Sequence, residues 1–222
     1  MEKYLKAIIM IVVLMVFASC GQAEKTAKSN EEVVAGLRDC TVMIYSGEVH
    51  GSGVVIDNNE SYVTIFTVSH VIGDNDQGII TFNSGKAAFA NVIYKDMDSD
   101  ICILRISQED FADSYGSSIA VAENGADIVD KLNQNDKVFL VGSAVNVAVN
   151  ATIGEIGSTN YYVPELDMNM IYLYADAMPG MSGSGCYTED GRLIGILAEG
   201  SDNSEVLCIR INDYINVLET LK

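Results

Sequence analysis

The sequence predicts an all-β fold, with two barrels in tandem closed by a short C-terminal helix. Three observations lead there. Short runs rich in Val, Ile, Tyr and Phe recur along the chain, with Gly, Asn, Asp and Ser clustered between them, as expected of strands joined by turns. Their number exceeds what one small barrel needs, so two barrels divide them. Helical periodicity emerges only at the end, where Ile215, Leu218 and Leu221 share one face behind a capping Asn212.

Taken in order, the chain opens with a segment outside this fold. "MEKYLKAIIMIVVLMVFASC" carries Lys3 and Lys6, an apolar run from Ala7 to Ala18, and small residues before Cys20. The run falls short of the ~20 apolar residues of a membrane span and matches the core of a secretory leader. Its ending resembles the lipobox of bacterial lipoproteins, although Phe17 is a less usual residue there. That resemblance implies a signal peptide over 1–20, a lipid on Cys20 and an extracytoplasmic protein anchored to the membrane. A cleaved leader with a secreted product, or an uncleaved anchor, is the alternative. Residues 21–35 lack apolar periodicity and read as a flexible tether.

The folded domain is expected over 36–222. "CTVMIYS", "GVVID", "YVTIFTV", "GIITF", "FANVIY" and "ICILRI" supply the first barrel, over about 36–112. "FADSYGSS", residues 111–118, reads as the crossing. "KVFLVG", "ATIGEIG", "MIYLYA", "RLIGILA" and "EVLCIRI" supply the second, over about 113–211, and the helix covers 212–221.

The formal net charge of −18 excludes a nucleic-acid partner, because phosphates require Lys and Arg to displace their counterions. The same charge favours cationic substrates. Cys40, Cys102, Cys186 and Cys208 each lie in an apolar run and read as buried thiols, with one disulfide open to them in an oxidising compartment. No pair has zinc-type spacing. No metal or organic cofactor is implied.

Histidine is the side chain best suited to act as a base near neutral pH, and the chain has two. His50, in the glycine-rich "SGEVHGSG", reads as an exposed turn residue. His70 ends "YVTIFTVSH", where a buried strand meets its loop. Asp96, Asp98 and Asp100 alternate like the start of a calcium loop, but the sharp-turn position holds Ile101 and the twelfth holds Ser107. Asp96 and Asp98 then read as a solvated acidic hairpin. Asp100 immediately precedes a buried strand and is expected at a barrel rim, partly desolvated. "PGMSGSG", residues 179–185, places Ser182 and Ser184 in a tight turn between apolar strands. Neither serine fits G-x-S-x-G, and no histidine follows residue 70, which excludes the order of an α/β-hydrolase. The remaining order is His, Asp, Ser.

"GSGVVID", "TVSH", "DSDICILRI", "KVFLVGS", "PGMSGSGCYTEDGRLIGIL" and "VLCIRINDYINVLETL" occur in the order found in trypsin-like serine peptidases. The chain resembles that family over residues 38–221, most of all the bacterial Deg/HtrA protease domain and the glutamyl endopeptidases. The resemblance implies two perpendicular six-stranded antiparallel barrels with the site between them; no PDZ domain is expected after the closing helix. It implies a peptide or protein substrate, with His70, Asp100 and Ser182 as catalytic residues and the backbone N–H groups of Gly180 and Ser182 as the oxyanion hole. Met181 departs from the Asp or Asn usual in the family, which leaves a catalytically inactive binding module as the alternative. The residue six before the nucleophile, Asp176, would floor the primary pocket and pair with Arg or Lys. The other reading is an exposed loop aspartate, and Deg relatives prefer small aliphatic residues.

Overall fold

The computed structural model describes residues 29–111, 116, 118–144 and 149–221. Cys20 and the leader lie outside the described residues. Helix α1, Asn30–Asp39, opens the described chain. Its first three residues after Ser29 and the three that follow were expected in the tether, and "SNEE" explains the difference. Ser29 Oγ accepts the Glu32 N–H while Glu32 accepts the Ser29 N–H at 2.9 Å, a reciprocal cap that starts a helix. Val33 and Leu37, one turn apart, then bury that helix against the rest of the core.

Barrel one consists of β1 (Thr41–Ser46), β2 (Val49–Asn58), β3 (Tyr62–Val68), β4 (Gln77–Phe82), β5 (Ala87–Asp96) and β6 (Ile101–Ser107). It closes in the order β1-β2-β3-β6-β5-β4, antiparallel throughout. A one-turn helix α2, Ser69–Ile72, follows β3 directly. Barrel two contains β8 (Lys137–Ser143), β9 (Val149–Val163), β10 (Met168–Tyr174), β11 (Gly185–Thr188), β12 (Arg192–Gly200) and β13 (Glu205–Arg210), with a two-residue strand β7 (Glu123–Asn124) added parallel to β12. The pairing of β11 with both β8 and β12 closes these six strands into the second barrel. The all-β fold of two six-stranded barrels is therefore as expected.

The crossing falls partly outside the described residues, but its exit is tied to barrel one. Asn58 Nδ2 donates to the carbonyls of Gly116 and Ile119, and Ala122 N–H donates to Val55. Helix α3, Ile211–Thr220, ends the described chain one residue earlier at each side than expected. It fastens the two barrels together. Tyr214 is fully buried, stacks on Phe66 with ring centroids 4.8 Å apart, and donates its hydroxyl to the Thr67 carbonyl at 2.6 Å. A buried Tyr needs such an acceptor. This contact fixes the end of β3, the strand that delivers His70. All four described cysteines are buried and free. Burial pushes the Cys40 thiol up to about 11 and that of Cys102 up to about 12, so both stay protonated and inert.

Candidate active site

Local structure on barrel one presents His70 and Asp100 to each other. Ser69 is fully buried at the first position of α2, and its Oγ lies 2.8 Å from the Asp96 carbonyl and 2.7 Å from that of Ile101. Ser69 N–H donates to the Asp100 carbonyl at 3.0 Å. These bonds clamp the start of α2 onto the turn before β6. Asp100 closes that turn with φ +57°, a left-handed conformation that Asp tolerates better than most residues. Its carboxylate is only 13% exposed and meets His70 twice. Oδ1 accepts the His70 N–H at 2.9 Å, and Oδ2 lies 2.8 Å from Nδ1. The hydrogen bond to Asp100 raises the imidazole pKa above its ordinary 6.5, against the opposing effect of desolvation, and the charges of Asp100 and Glu199 add to the rise. An anchored Nδ1 leaves Nε2 as the atom free for proton transfer.

The acidic neighbours behave differently from Asp100. Asp96 accepts from Asp98 N–H and Ser99 Oγ and so shapes the turn rather than standing free in solvent, while Asp98 is exposed. His50 also departs from expectation. It lies within β2, half-buried, with its ring 5.0 Å from Tyr45 and Nε2 3.3 Å from Ser143 Oγ. Register explains this: the turn falls on Gly47, at φ +62°, and His50 pairs with Tyr45 in the ladder.

Barrel two presents Ser182. Gly180 and Gly183 have φ of +93° and +87°, which a side chain would strain. At Gly183 there is also no room, since a Cβ would meet the Ser52 carbonyl oxygen at 1.9 Å. The two serines of the turn have opposite fates. Ser184 is fully buried against Gly142, while Ser182 is half-exposed. The backbone donors of the turn alternate in a telling way. Met178 N–H points to Met181 Sδ at 3.4 Å, Met181 N–H donates to Met178 O, Gly183 N–H to Leu197 O, and Ser184 N–H to Met181 O. Pro179 has no N–H. Among the described residues, only the Gly180 and Ser182 N–H groups of this turn find no protein acceptor. Two free donors, one on either side of the engaged Met181 N–H and one of them on the serine itself, can hold an oxyanion.

Met181 has a structural role of its own. It is fully buried and its thioether accepts a backbone N–H, so the turn has a side-chain pin despite lacking a polar residue there.

Ser52 is the residue that sequence reasoning missed. It is fully buried on β2, and its N–H donates to the Ser182 carbonyl at 2.7 Å. Its Oγ accepts the Ser143 N–H at 2.8 Å and lies 3.1 Å from the Gly180 carbonyl. Barrel one thereby grips the turn that barrel two supplies. The neighbouring Gly51 brings the two halves together, because a Cβ there would touch both the Val71 side chain and, at 3.1 Å, the Ser182 carbonyl oxygen. Ser182 Oγ makes no hydrogen bond with His70 in this structure; such contacts commonly tighten only around substrate.

Asp176 takes the second of its two readings. It is exposed, and its carboxylate accepts from Ser204 Oγ. The expected desolvated floor is corrected by the local geometry. Ala175 N–H bonds to the Ser204 carbonyl, which draws Asp176 alongside the β12–β13 loop and into solvent.

Comparison with known proteins bears on the family and the fold. A family model described as a trypsin-like peptidase domain matches residues 51–196. An HtrA-like serine protease of Staphylococcus aureus is 30% identical over 159 residues, which covers 67% of this chain and 20% of that protein. One from Staphylococcus epidermidis is 27% identical over 219 residues, covering 90% of this chain and 36% of its own. The chain thus spans only a minor part of the length of these curated relatives. Among solved structures, the serine endoprotease from Yersinia pestis superposes with a TM-score of 0.71 at 22% identity, covering 89% of this chain and 68% of that one. The HtrA-type protease AlgW with tripeptide gives 0.73 at 22% identity, covering 87% and 64%. At that identity the likeness shows a shared fold.

Proposed function

Because the chain belongs to the trypsin-like peptidase domain family, we propose that it is a serine endopeptidase held at the outer side of a membrane by a lipid on Cys20. Ser182 Oγ attacks the carbonyl carbon of a peptide bond while His70 Nε2 takes its proton. The carbonyl oxygen becomes an oxyanion held by the Gly180 and Ser182 N–H groups. Asp100 fixes the imidazole through Nδ1 and stabilises the cation that forms. His70 then returns the proton to the leaving amine, which leaves an acyl group on Ser182. Water, deprotonated by His70, attacks that acyl group and releases the second product. Each oxyanion donor is worth about 10²–10³ in turnover.

The observation that carries this reading is the donor pattern of the 178–184 turn, in which only Gly180 and Ser182 have unused N–H groups among the described residues. Active-site labelling tests it. A fluorophosphonate probe is expected to modify the wild type and the Ser184→Ala variant, and to leave Ser182→Ala unmodified. Labelling that survives Ser182→Ala removes the assignment. The tether is tested separately: Cys20→Ala should move the protein from the membrane fraction into the soluble one. The support for it is the apolar run from Ala7 to Ala18, which ends in small residues and a cysteine.

A further inference from the structure

Beyond Leu197, the end of β12 has acidic and aromatic surroundings that the chemistry above does not use. Along one side β12 pairs with β13 as far as Gly200. Along the other it meets β11 and then the Ser182 turn, where Leu197 exchanges bonds with Gly183 and Ser184. Past that point no described strand covers this edge, so Ala198, Glu199 and Gly200 offer a place for an extended chain to pair. A strand rises ~3.3 Å per residue, so Glu199 and Gly200 lie roughly 7–10 Å beyond the Ser182 turn, within reach of two or three residues of such a chain.

A groove of about 390 Å³ runs over the neighbouring face of β9, β10 and β13 and reaches this end of β12, lined by Tyr161, Tyr172, Glu199, Glu205 and the residues around Gly200. Its wall is aromatic: the Tyr161 and Tyr172 rings lie 5.4 Å apart, and Tyr174, outside the groove, backs Tyr172 edge-on at 5.1 Å. The Tyr172 hydroxyl donates to Glu205 at 2.6 Å and so holds one carboxylate against the rings. Glu199 has neither a hydrogen bond nor an ion pair with any described residue. The arginines of barrel two are engaged elsewhere, Arg192 with Glu123 and Asp127, and Arg210 with Asp130. The groove's negative charge is thus not neutralised by the protein itself, and aromatic faces add attraction for a cation. Glu199 is also close enough to the cleft for its charge to act on His70.

We infer that this groove binds an Arg or Lys side chain of the substrate, on the N-terminal side of the bond that is cleaved. The inference rests on the peptidase reading for the word substrate, and on the groove alone for the charge preference. The N-terminal side follows from antiparallel pairing, the mode in which β12 takes its two longer partners, β11 and β13, the two-residue β7 alone being parallel. A peptide running antiparallel to β12 passes Gly200 and Glu199 first and reaches Ser182 afterwards.

The test separates binding from turnover, because removing the Glu199 charge would also alter His70. The full chain carrying Ser182→Ala is titrated with short fluorescent peptides of one neutral sequence, in which a single Gln is replaced by Arg at successive positions. One position is expected to tighten binding by about tenfold, the combined reach of a partly exposed ion pair and a cation–π contact. Adding Glu199→Gln should bring the Arg-to-Gln ratio close to one, and Tyr161→Ala, at an exposed ring, should reduce it. High salt should narrow it. Equal binding at every position overturns the inference, as does a preference that survives both substitutions. The peptide with the strongest preference is then offered to the wild type, and cleavage C-terminal to the Arg supports the placement, whereas cleavage before it refutes the placement. Binding preference without any cleavage upholds the groove and refutes the peptidase reading; cleavage without preference does the reverse.

Discussion

On the side of barrel one, Asp100 takes two hydrogen bonds from His70 while the imidazole remains 45% exposed. On the side of barrel two, Ser182 sits in a turn whose neighbours Met181, Gly183 and Ser184 are all buried. The first half is held by directional bonds between polar groups, which water can approach but not easily replace. The second is held by shape, through a glycine with no space for a Cβ, a serine packed onto Gly142 and a thioether under the chain. Changes of chemistry should therefore damage the first half while leaving the fold intact. Changes of volume should damage the second half and the fold together.

Gly183→Ala should have the largest effect. The added Cβ would collide with the Ser52 carbonyl oxygen at 1.9 Å and Thr67 Oγ1 at 2.6 Å, and φ would remain in the left-handed region. Both objects struck belong to barrel one, so relief requires the barrels to shift. Fluorophosphonate labelling should disappear and stability should fall by at least about 3 kcal/mol, combining a strained φ with overpacking. Denaturant titration alongside the labelling assay checks both, and wild-type behaviour in either would mean that shape does not hold this turn.

Asp100→Asn should come next, and its signature should differ. The fold should survive, because the amide is nearly isosteric, while the proposed triad predicts a drop in turnover of about 10⁴. The pH profile sharpens the distinction. His70 must be neutral to accept a proton, and Asp100 raises its pKa, so wild-type activity should rise with pH through a midpoint above 6.5. Without the carboxylate that midpoint should move to lower pH. Rate measurements against pH on both proteins decide this, and an unmoved acid limb would mean that His70 is not the titrating base.

The same difference explains how much could be read in the sequence. The polar half announces itself, since His70 at a strand end and Asp100 before another strand are local patterns. The strand runs and the final helix were equally legible, because side-chain periodicity is local. Ser52 was not. Its importance comes from three bonds to residues more than ninety positions away, and a buried serine in "GSG" looks like any turn residue. His50 was misplaced for a related reason: the glycines around it suggested a turn, but the register put the turn at Gly47. Helix α1 was legible in principle from Ser29 and Glu32, yet its two short apolar contacts, Val33 and Leu37, are too few to show a period.

Met181→Leu should have the smallest effect, and it isolates one bond. Leucine matches methionine in volume, so packing at this fully buried position is kept and stability should change by less than about 1.5 kcal/mol. What is lost is the sulfur that accepts the Met178 N–H at 3.4 Å. Met178 lies at the entrance to the turn, two residues before Gly180, so freeing its N–H loosens the segment that aims the Gly180 donor. The oxyanion exists only as the reaction proceeds, which puts the loss in kcat and leaves KM nearly unchanged. Because a thioether is a weak acceptor, the drop should be modest, about two- to fivefold. Met181→Ala gives the contrast, since it removes the same sulfur together with the packing and should cost about 2–5 kcal/mol of stability. If Met181→Leu leaves kcat untouched while Met181→Ala unfolds the turn, methionine serves this site by volume alone, and the directional hold on the turn comes from Ser52.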